Sequence, residues 1–197
     1  MFDYGEVISM SQSEHDRLAL LEIAAAEADD FWPSYWKHRD ELDHGTLSIT
    51  EYWRRVARDL GSEWSLTRIQ QLWAADFRSW ISVEPGTIGL LGELHDGGTR
   101  IAMLSNAGFD FGDPFRRAPS GVLFERIFVS AELGLLKPDP AVYREVAKEL
   151  GITMEQMVFV DNKPVNVDAA VALGAAGHVF TEVGALRDFL TSLAVRA

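Results

Sequence analysis

Hydrophobic and polar positions follow one pattern in the first part of the chain and another in the second. From about Ser13 to Trp80, apolar residues recur at three- and four-residue spacing without the short continuous run of a buried strand. This part predicts four helices, over SEHDRLALLEIAAAEADD, FWPSYWKHRDELDHG, EYWRRVARDLG and RIQQLWAADFRSW. The third helix is predicted to begin at the capping box Ser48-Ile49-Thr50-Glu51 and to end at Gly61.

From Pro85 onward, short apolar runs alternate with helical segments. The runs RIAMLS (100–105), RIFVS (126–130), QMVFVD (156–161) and HVFT (178–181) have the length of buried parallel strands. Helical segments such as PAVYREVAKELG and VNVDAAVALGA separate or follow these runs. Strands alternating with helices of about ten residues or more predict right-handed crossovers and a parallel sheet covered on both faces.

The two patterns together predict an α/β fold, a three-layer, Rossmann-like parallel sheet core with an inserted all-helical cap. The core comprises residues 1–12 and about 83–197, and the four-helix cap comprises residues 13–82. MFD supplies the first strand of the sheet. Buried strands usually run about five or six residues, yet only Met1 and Phe2 precede Asp3. Either this strand is unusually short or the native chain begins upstream of Met1.

The amino-acid composition limits the kinds of partner that the protein can bind. The 18 basic and 30 acidic side chains give a formal net charge of −12, whereas nucleic acids and anionic membranes bind basic patches. The chain has no cysteine, which removes disulfides, thiolate chemistry and cysteine-based zinc sites. No stretch approaches the ~20 apolar residues of a membrane span, and the N-terminus lacks a signal-peptide pattern. We therefore expect a cytoplasmic protein with a small-molecule substrate and neither nucleic acid nor membrane as partner.

Polar side chains follow several predicted strands at the point where each strand ends. They are Asp3 after MF, Ser105 and Asn106 after RIAML, and Asp161 and Asn162 after MVFV, and Lys137 lies in the loop before PAVYREVAKEL. Each alone is compatible with a turn, a helix cap or a solvated surface. Ligands of open parallel sheets bind beyond the carboxyl ends of the strands, so these residues are predicted to face one crevice.

The order of these motifs resembles the haloacid dehalogenase (HAD) superfamily. FDYGEVI resembles its first motif, MLSN the second, LLKPDPAVY the third and FVDNKPVNVDAA the fourth, and the helical insertion resembles a small cap. The resemblance implies that Asp3 is a nucleophile that forms a covalent aspartyl intermediate, with Ser105, Asn106 and Lys137 binding the transferred group. It also implies Mg²⁺ held by Asp3, the backbone carbonyl of Gly5, Asp161 and Asn162. The expected function is a Mg²⁺-dependent phosphatase of a small phosphorylated metabolite.

Two positions depart from the pattern of the family's phosphatases. Gly5 stands where many of them carry a second aspartate that protonates the leaving oxygen, and general acid help is worth about 10²–10⁴ in rate. Glu6 is adjacent but one residue along. Asn162 stands where a second acid usually carries most of the metal contact, and an amide oxygen brings no charge to the site.

These departures leave two alternatives open. One is a metal-free 2-haloacid dehalogenase, to which Tyr143 corresponds as a tyrosine near the lysine, with Lys37 or Arg39 as the nearest counterparts of its halide-binding arginine. Without a metal, Asp161 would lie uncompensated near Asp3, which is costly for two carboxylates in one crevice. The other alternative is a catalytically impaired member of the family that acts as a binding protein.

The predicted cap is rich in aromatic residues. Phe31, Trp32, Tyr35, Trp36, Tyr52, Trp53, Trp64, Trp73, Phe77 and Trp80 all fall within it. Their spacing predicts that most pack between helices, while one or two project over the crevice. The polar candidates for that face are His38, Arg39, Asp40 and His44. Exposed aromatic residues could also support self-association, so both a monomer and a homodimer are compatible with the sequence.

Overall fold

The computed structural model describes residues 1–194, so the last three residues of the predicted core lie outside the described part. Five helices come first: α1 (Glu14–Ala24), α2 (Ala28–Lys37), α3 (Arg39–Asp43), α4 (Ile49–Asp59) and α5 (Leu66–Trp80). We call these five helices the helical insertion. The remaining elements are α6 (Pro85–Asp96), β1 (Ala102–Ser105), α7 (Phe109–Arg117), β2 (Arg126–Val129), α8 (Ser130–Leu133), α9 (Pro140–Leu150), β3 (Val158–Asp161), α10 (Pro164–Val171), β4 (Ala176–Val179) and α11 (Val183–Ala194), with 3₁₀ turns at Pro119–Leu123 and Met154–Gln156.

The sheet is parallel, and the N-terminal segment lies at its centre. β1 pairs with β2, and β3 pairs with β4. Phe2 forms parallel bridges to both Met103 and Val160, so it joins the two pairs in the order β2–β1–Phe2–β3–β4. The predicted α/β fold is confirmed, and Phe2 pairs with both neighbouring strands.

Side chains of neighbouring strand residues enter separate hydrophobic cores on the two faces of the sheet. Met103 and Val160 belong to one core, whereas Leu104 and Phe159 belong to the other. This alternation is the two-residue period of a strand buried on both faces. The helical insertion has a third core of its own, which includes Phe31, Tyr35, Tyr52, Trp53 and Leu72.

The helical insertion has five helices where the pattern predicts four. Ala25 adopts a left-handed conformation with φ of 52° and ends α1, so the first predicted helix is divided between α1 and α2. His38, with φ of −106°, separates α2 from α3. Alanine is the strongest helix former, so local sequence gives no signal for the first break.

The fourth strand begins two residues earlier than predicted. It covers Ala176–Val179 and pairs with Val158–Asp161. Gly177 lies on it because α10 packs closely there: an added Cβ would come within 2.5 Å of the Val171 side chain and 2.6 Å of Val167. Alanine and glycine have low strand propensity, so pairing with β3 rather than local pattern defines this strand.

The helical insertion is connected to the core by two segments that pair with each other. Ser9 and Val83 form an antiparallel bridge between the incoming and outgoing chain. Further along, the Ser130 hydroxyl donates to the carbonyl oxygen of Asp43 at 2.5 Å, and the indole of Trp73 donates to Asp110 at 2.7 Å. These bonds hold α3 and α5 against the core. Among residues 1–194, no helix combines the length and apolar character needed to cross a membrane.

Candidate active site

A cavity of about 380 Å³ lies between the carboxyl ends of the strands and the helical insertion. Most of the residues predicted from the sequence line it: Asp3, Gly5, Ser105, Asn106, Lys137 and Asn162. Ser105 is buried at the end of β1. Asp161, at the end of β3, is fully buried beneath the cavity and connects to it through Lys137.

Asp3, Lys137 and Asp161 form a buried cluster of two carboxylates and one ammonium. The Nζ of Lys137 lies 2.7 Å from Asp3 Oδ1 and 2.7 Å from Asp161 Oδ2. It also donates to the carbonyl oxygen of Leu104 at 3.0 Å. Because an ammonium has three donors, these three bonds satisfy it completely and fix its position.

The Asp3 carboxylate is held from two sides. Its Oδ1 accepts the backbone N–H of Tyr4 at 2.7 Å in addition to the bond from Lys137. Burial raises the pKa of Asp3 above its usual 3.8, and the charge of Asp161 raises it further, while Lys137 opposes both. Because these contacts are made by Oδ1, Oδ2 is the carboxylate oxygen that is available to contact a substrate.

Asn166 was missed in the sequence and belongs to the same cluster. It lies in the first turn of α10, five residues after Asp161, and its amide donates to Asp161 Oδ2 at 3.0 Å. Asp161 Oδ1 accepts the backbone N–H of Lys163 at 2.8 Å. Asn166 also lines the cavity. Its place inside the fourth motif, NVDAA, was the available signal.

Asn106 uses its side-chain amide to hold the backbone of Lys137. Its Nδ2 donates to the Lys137 carbonyl at 2.9 Å, and its Oδ1 accepts the Lys137 N–H at 3.0 Å. Both polar atoms of the amide are therefore engaged within the protein. This geometry makes Asn106 a residue that positions Lys137, and the substrate contact predicted for it stays a prediction.

Glu6 and Asn162 contact each other at the rim of the cavity. Glu6 has a positive φ of 58°, and its carboxylate accepts the Asn162 amide at 2.7 Å and the Ser11 hydroxyl at 2.9 Å. Asn162 Oδ1 is buried and has no hydrogen-bond partner within residues 1–194. Gly5, beside them, has no atom within 4 Å of an added Cβ.

Several predicted residues lie away from the cavity. Tyr143 is fully buried below it and donates its hydroxyl to the Asn166 carbonyl at 2.8 Å. His38 and Lys37 both contact Asp59 at 2.9 Å on the outer side of the helical insertion. His44 does not line the cavity. The structure therefore does not bring these four side chains into the site.

The helical insertion contributes the roof of the cavity through Trp36, Arg39, Asp40, Asp43 and Trp80. Arg39 is buried and paired with two carboxylates, since its Nη1 lies 3.0 Å from Asp76 and its Nε 3.2 Å from Asp43. Burial raises the pKa of Asp43 to about 6, against the attraction of Arg39. The sequence identified Arg39 and Asp40 as candidates for this face but did not reveal that Arg39 is neutralised.

One wall of the cavity is aromatic. Tyr4, Phe111 and Phe115 line it on the core side, with ring centroids 4.2 Å apart for Tyr4 and Phe115. These side chains line the same cavity as Asp3 and Lys137. The site thus combines a charged floor with apolar sides.

Comparison with known proteins agrees with this geometry. The family model of haloacid dehalogenase-like hydrolases matches residues 13–174. The chain belongs to that family. Like other members of this hydrolase family, the protein is an enzyme.

Two curated relatives illustrate the range of the family. A sesquiterpene phosphatase of Aspergillus oryzae is 31% identical over 154 residues, covering 71% of this chain and 78% of that protein. A drimenol cyclase of Aspergillus calidoustus is 26% identical over 165 residues, covering 83% of this chain. The chain spans only 30% of the length of that cyclase.

A solved structure shares the fold. A HAD family enzyme from Bacteroides thetaiotaomicron, crystallised with magnesium and inorganic phosphate, superposes with a TM-score of 0.71. The match covers 91% of this chain and 92% of that one, at 19% identity. At this identity the likeness establishes the fold alone.

Proposed function

We propose that the protein is a phosphatase that hydrolyses the monoester of a small phosphorylated metabolite, with Asp3 as nucleophile. The observation that carries this proposal is the buried Asp3–Lys137–Asp161 cluster at the floor of a cavity large enough for a small ligand. Among the relatives, the sesquiterpene phosphatase supports the same reaction class.

The proposed reaction has two steps. Asp3 Oδ2 attacks phosphorus, the ester P–O bond breaks, and the alcohol leaves after gaining a proton. Water then attacks the phosphorus of the aspartyl phosphate, which releases inorganic phosphate and restores the carboxylate. Lys137 and Ser105 offset the charge on the transferred group. Because position 5 is glycine, the carboxyl group of this segment that lines the cavity besides Asp3 is Glu6, and we assign the protonation of the leaving oxygen to it.

The residues present fit Mg²⁺, with a donor set that differs from the expected one. Both Asp161 oxygens already accept hydrogen bonds, whereas Asn162 Oδ1 is buried without a partner within the described chain. That oxygen, Asp3 and the Gly5 carbonyl would hold the ion, and hard oxygen ligands suit it. When bound, Mg²⁺ would neutralise phosphate charge. No three His, Cys, Asp or Glu side chains cluster for a metal among residues 1–194, so a weak site is proposed.

Release of inorganic phosphate from a panel of monoesters tests the proposal. We expect turnover by the wild type, its loss in Asp3→Asn and its reduction by a chelator of divalent cations. Asp188→Asn, an exposed carboxylate on α11, is the matched control and should retain full activity. Turnover that survives Asp3→Asn would refute the assigned nucleophile.

One observation bears on the dehalogenase alternative. Lys137 contacts both Asp3 and Asp161, which weakens the electrostatic objection to a metal-free site, although one ammonium does not balance two carboxylates. Arg39, however, is paired with Asp43 and Asp76 and is not free to receive a halide. We therefore rank the dehalogenase second. Release of chloride from 2-chloropropionate in the presence of chelator would reverse this order.

A further inference from the structure

A second cavity lies beside the candidate active site and shares part of its wall. It has a volume of about 530 Å³, and Tyr4 and Phe115 line both cavities. The second cavity lies on one face of the sheet, between α6 and the segment that runs from α7 into the 3₁₀ turn at Pro119–Leu123. The Tyr4–Phe115 pair thus forms part of the boundary between the two cavities.

The wall of the second cavity is almost entirely apolar. Ile8, Ile88, Met103, Leu123, Phe124 and Ile127 are among the side chains that form it. No charged side chain lines it among residues 1–194, and Tyr4 and Ser120 bring the only hydroxyl groups. Apart from these two hydroxyls, the lining side chains offer no hydrogen-bond partners for a sugar or a nucleotide base. Hydrocarbon is the chemistry that gains from entering it, because apolar surface is removed from water.

The two cavities differ in the part of a ligand that each can hold. Among residues 1–194, the charged side chains that line either cavity all line the first: Asp3, Glu6, Arg39, Asp40, Asp43, Lys137 and Lys163. A ligand that occupies both therefore has a charged head at the Asp3–Lys137 cluster and an uncharged, apolar body beyond Tyr4 and Phe115. A phosphate monoester of an apolar alcohol has this division of polarity.

We propose that the substrate is a phosphate monoester of a long apolar alcohol, whose hydrocarbon chain occupies the second cavity. This inference rests on the proposed phosphatase function and specifies its substrate class. The rings of Tyr4 and Phe115 are 4.2 Å apart, so the hydrocarbon enters by displacing one of them. Tyr4 follows the nucleophile directly in the chain, which places this passage next to the reacting phosphate.

A chain-length series of n-alkyl monophosphates tests the substrate class. With esters of two to ten carbons, used below micelle-forming concentrations, we expect kcat/KM to rise by up to about fourfold per added methylene group, the full transfer effect. An unchanged kcat/KM across the series would overturn the inference while leaving the phosphatase proposal intact. Release of phosphate from none of the esters would overturn the phosphatase proposal and this inference with it.

Two glycines on α6 offer a matched pair of variants. Gly92 lines the second cavity and Gly89 lies exposed on the same helix, and neither has an atom within 4 Å of an added Cβ. Gly92→Leu should fill the cavity and lower kcat/KM for decyl phosphate at least about tenfold. The kcat/KM for ethyl phosphate should stay within about twofold of the wild-type value. Gly89→Leu should change neither value. Equal effects of Gly92→Leu on both esters would overturn the assignment of the cavity.

Binding of the released alcohol gives a measurement that needs no variant and no turnover. 1-Decanol should raise the thermal unfolding midpoint of the wild type, because a ligand that binds only the folded state stabilises it. Ethanol at the same concentration should not. Absence of a midpoint shift with 1-decanol would overturn the inference even if Gly92→Leu failed to fold.

Discussion

At the scale of single residues, Gly5 is the position where the candidate site departs most from a phosphatase. Its backbone has an ordinary φ, and an added Cβ meets no atom within 4 Å, so an aspartate can be accommodated. We expect Gly5→Asp to raise kcat for an alkyl phosphate by at least about tenfold, a part of the ~10²–10⁴ that general acid catalysis contributes. For p-nitrophenyl phosphate, whose leaving group needs no proton, kcat should change little.

Gly5→Asn is the control for this substitution, since it adds similar volume without an acid. Initial rates with both esters should be measured for the wild type, Gly5→Asp and Gly5→Asn. The comparison separates the effect of proton donation from the effect of side-chain size. If Gly5→Asp and Gly5→Asn alter the two rates alike, the missing-acid interpretation is wrong.

A second residue-scale prediction concerns Asp43, which faces Arg39, Asp76 and Asp40. Its pKa rises from 3.8 to about 6 on folding, so the folded state binds the proton more tightly. The stability that this proton confers is fully present below about pH 4 and is lost as pH rises through about 6, amounting to about 3 kcal/mol.

Urea denaturation of the wild type and Asp43→Asn at pH 4 and pH 7 measures this effect. The difference in the free energy of unfolding between the two proteins should move in favour of the variant by about 2 kcal/mol between pH 4 and pH 7, because asparagine does not titrate. A difference that is the same at both values of pH would show that Asp43 keeps an ordinary pKa.

The sequence revealed the residues of the site better than their interactions. Asp3, Ser105 and Asp161 were identified because parallel strands place their carboxyl ends at one edge of the sheet, and Lys137 from its place in the loop before PAVYREVAKEL. The sharing of Lys137 between two carboxylates was not predictable, since it depends on tertiary distances of 2.7 Å. The pairing of Arg39 with Asp76, 37 positions along the chain, was hidden for the same reason.

At the scale of elements, the contact between the helical insertion and the core depends on Gly45. It has φ of +84°, and an added Cβ would lie 2.8 Å from the carbonyl oxygen of Ala131 and 2.8 Å from the Phe109 ring. Gly61 also has a positive φ, +63°, but has no atom within 4 Å. Comparing substitutions at these two glycines therefore separates the effect of backbone strain from the effect of close packing.

We expect Gly61→Ala to lower the free energy of unfolding by about 1 kcal/mol, the cost of a left-handed alanine. Gly45→Ala should lower it by about 1–3 kcal/mol more, because the core must also yield to the new methyl group. Chemical denaturation of both variants checks the difference. Equal losses for the two variants would mean that the helical insertion and the core move apart at Gly45 without a loss of stability.

The elements themselves were predictable to different degrees. Three strands lie within the predicted apolar runs because buried parallel strands carry a strong continuous signal. β4 was misplaced and the helix breaks at Ala25 and His38 were missed, since pairing and packing rather than local preference set them. The division into a core of 1–12 and 83–197 and a cap of 13–82 stays a prediction.

At the scale of the whole molecule, the candidate site is a place where function and stability conflict. The protein has a net charge of −12 and buries two carboxylates against a single lysine. Burial and Asp161 raise the pKa of Asp3 despite Lys137, so an ionised Asp3 destabilises the folded state at neutral pH. Groups arranged for a reaction commonly lower stability in this way.

Two substitutions should therefore move stability in opposite directions while both abolish turnover. Asp3→Asn leaves Lys137 paired with Asp161 and should raise the unfolding midpoint at pH 7. The gain should shrink as pH falls, because the raised pKa of Asp3 favours its protonation in the folded state. Lys137→Met leaves two buried carboxylates uncompensated and should cost about 3–5 kcal/mol.

Thermal unfolding in the presence of a chelator measures both effects without a contribution from metal. Asp188→Asn again serves as the control, because it removes one charge from the surface and should leave the midpoint nearly unchanged. Both site variants are expected to lack turnover, so their loss of activity does not distinguish a folded protein from an unfolded one. The opposite shifts of their unfolding midpoints make that distinction. If Asp3→Asn destabilised the protein as much as Lys137→Met, the cluster would be a structural ion pair network rather than a strained reaction centre.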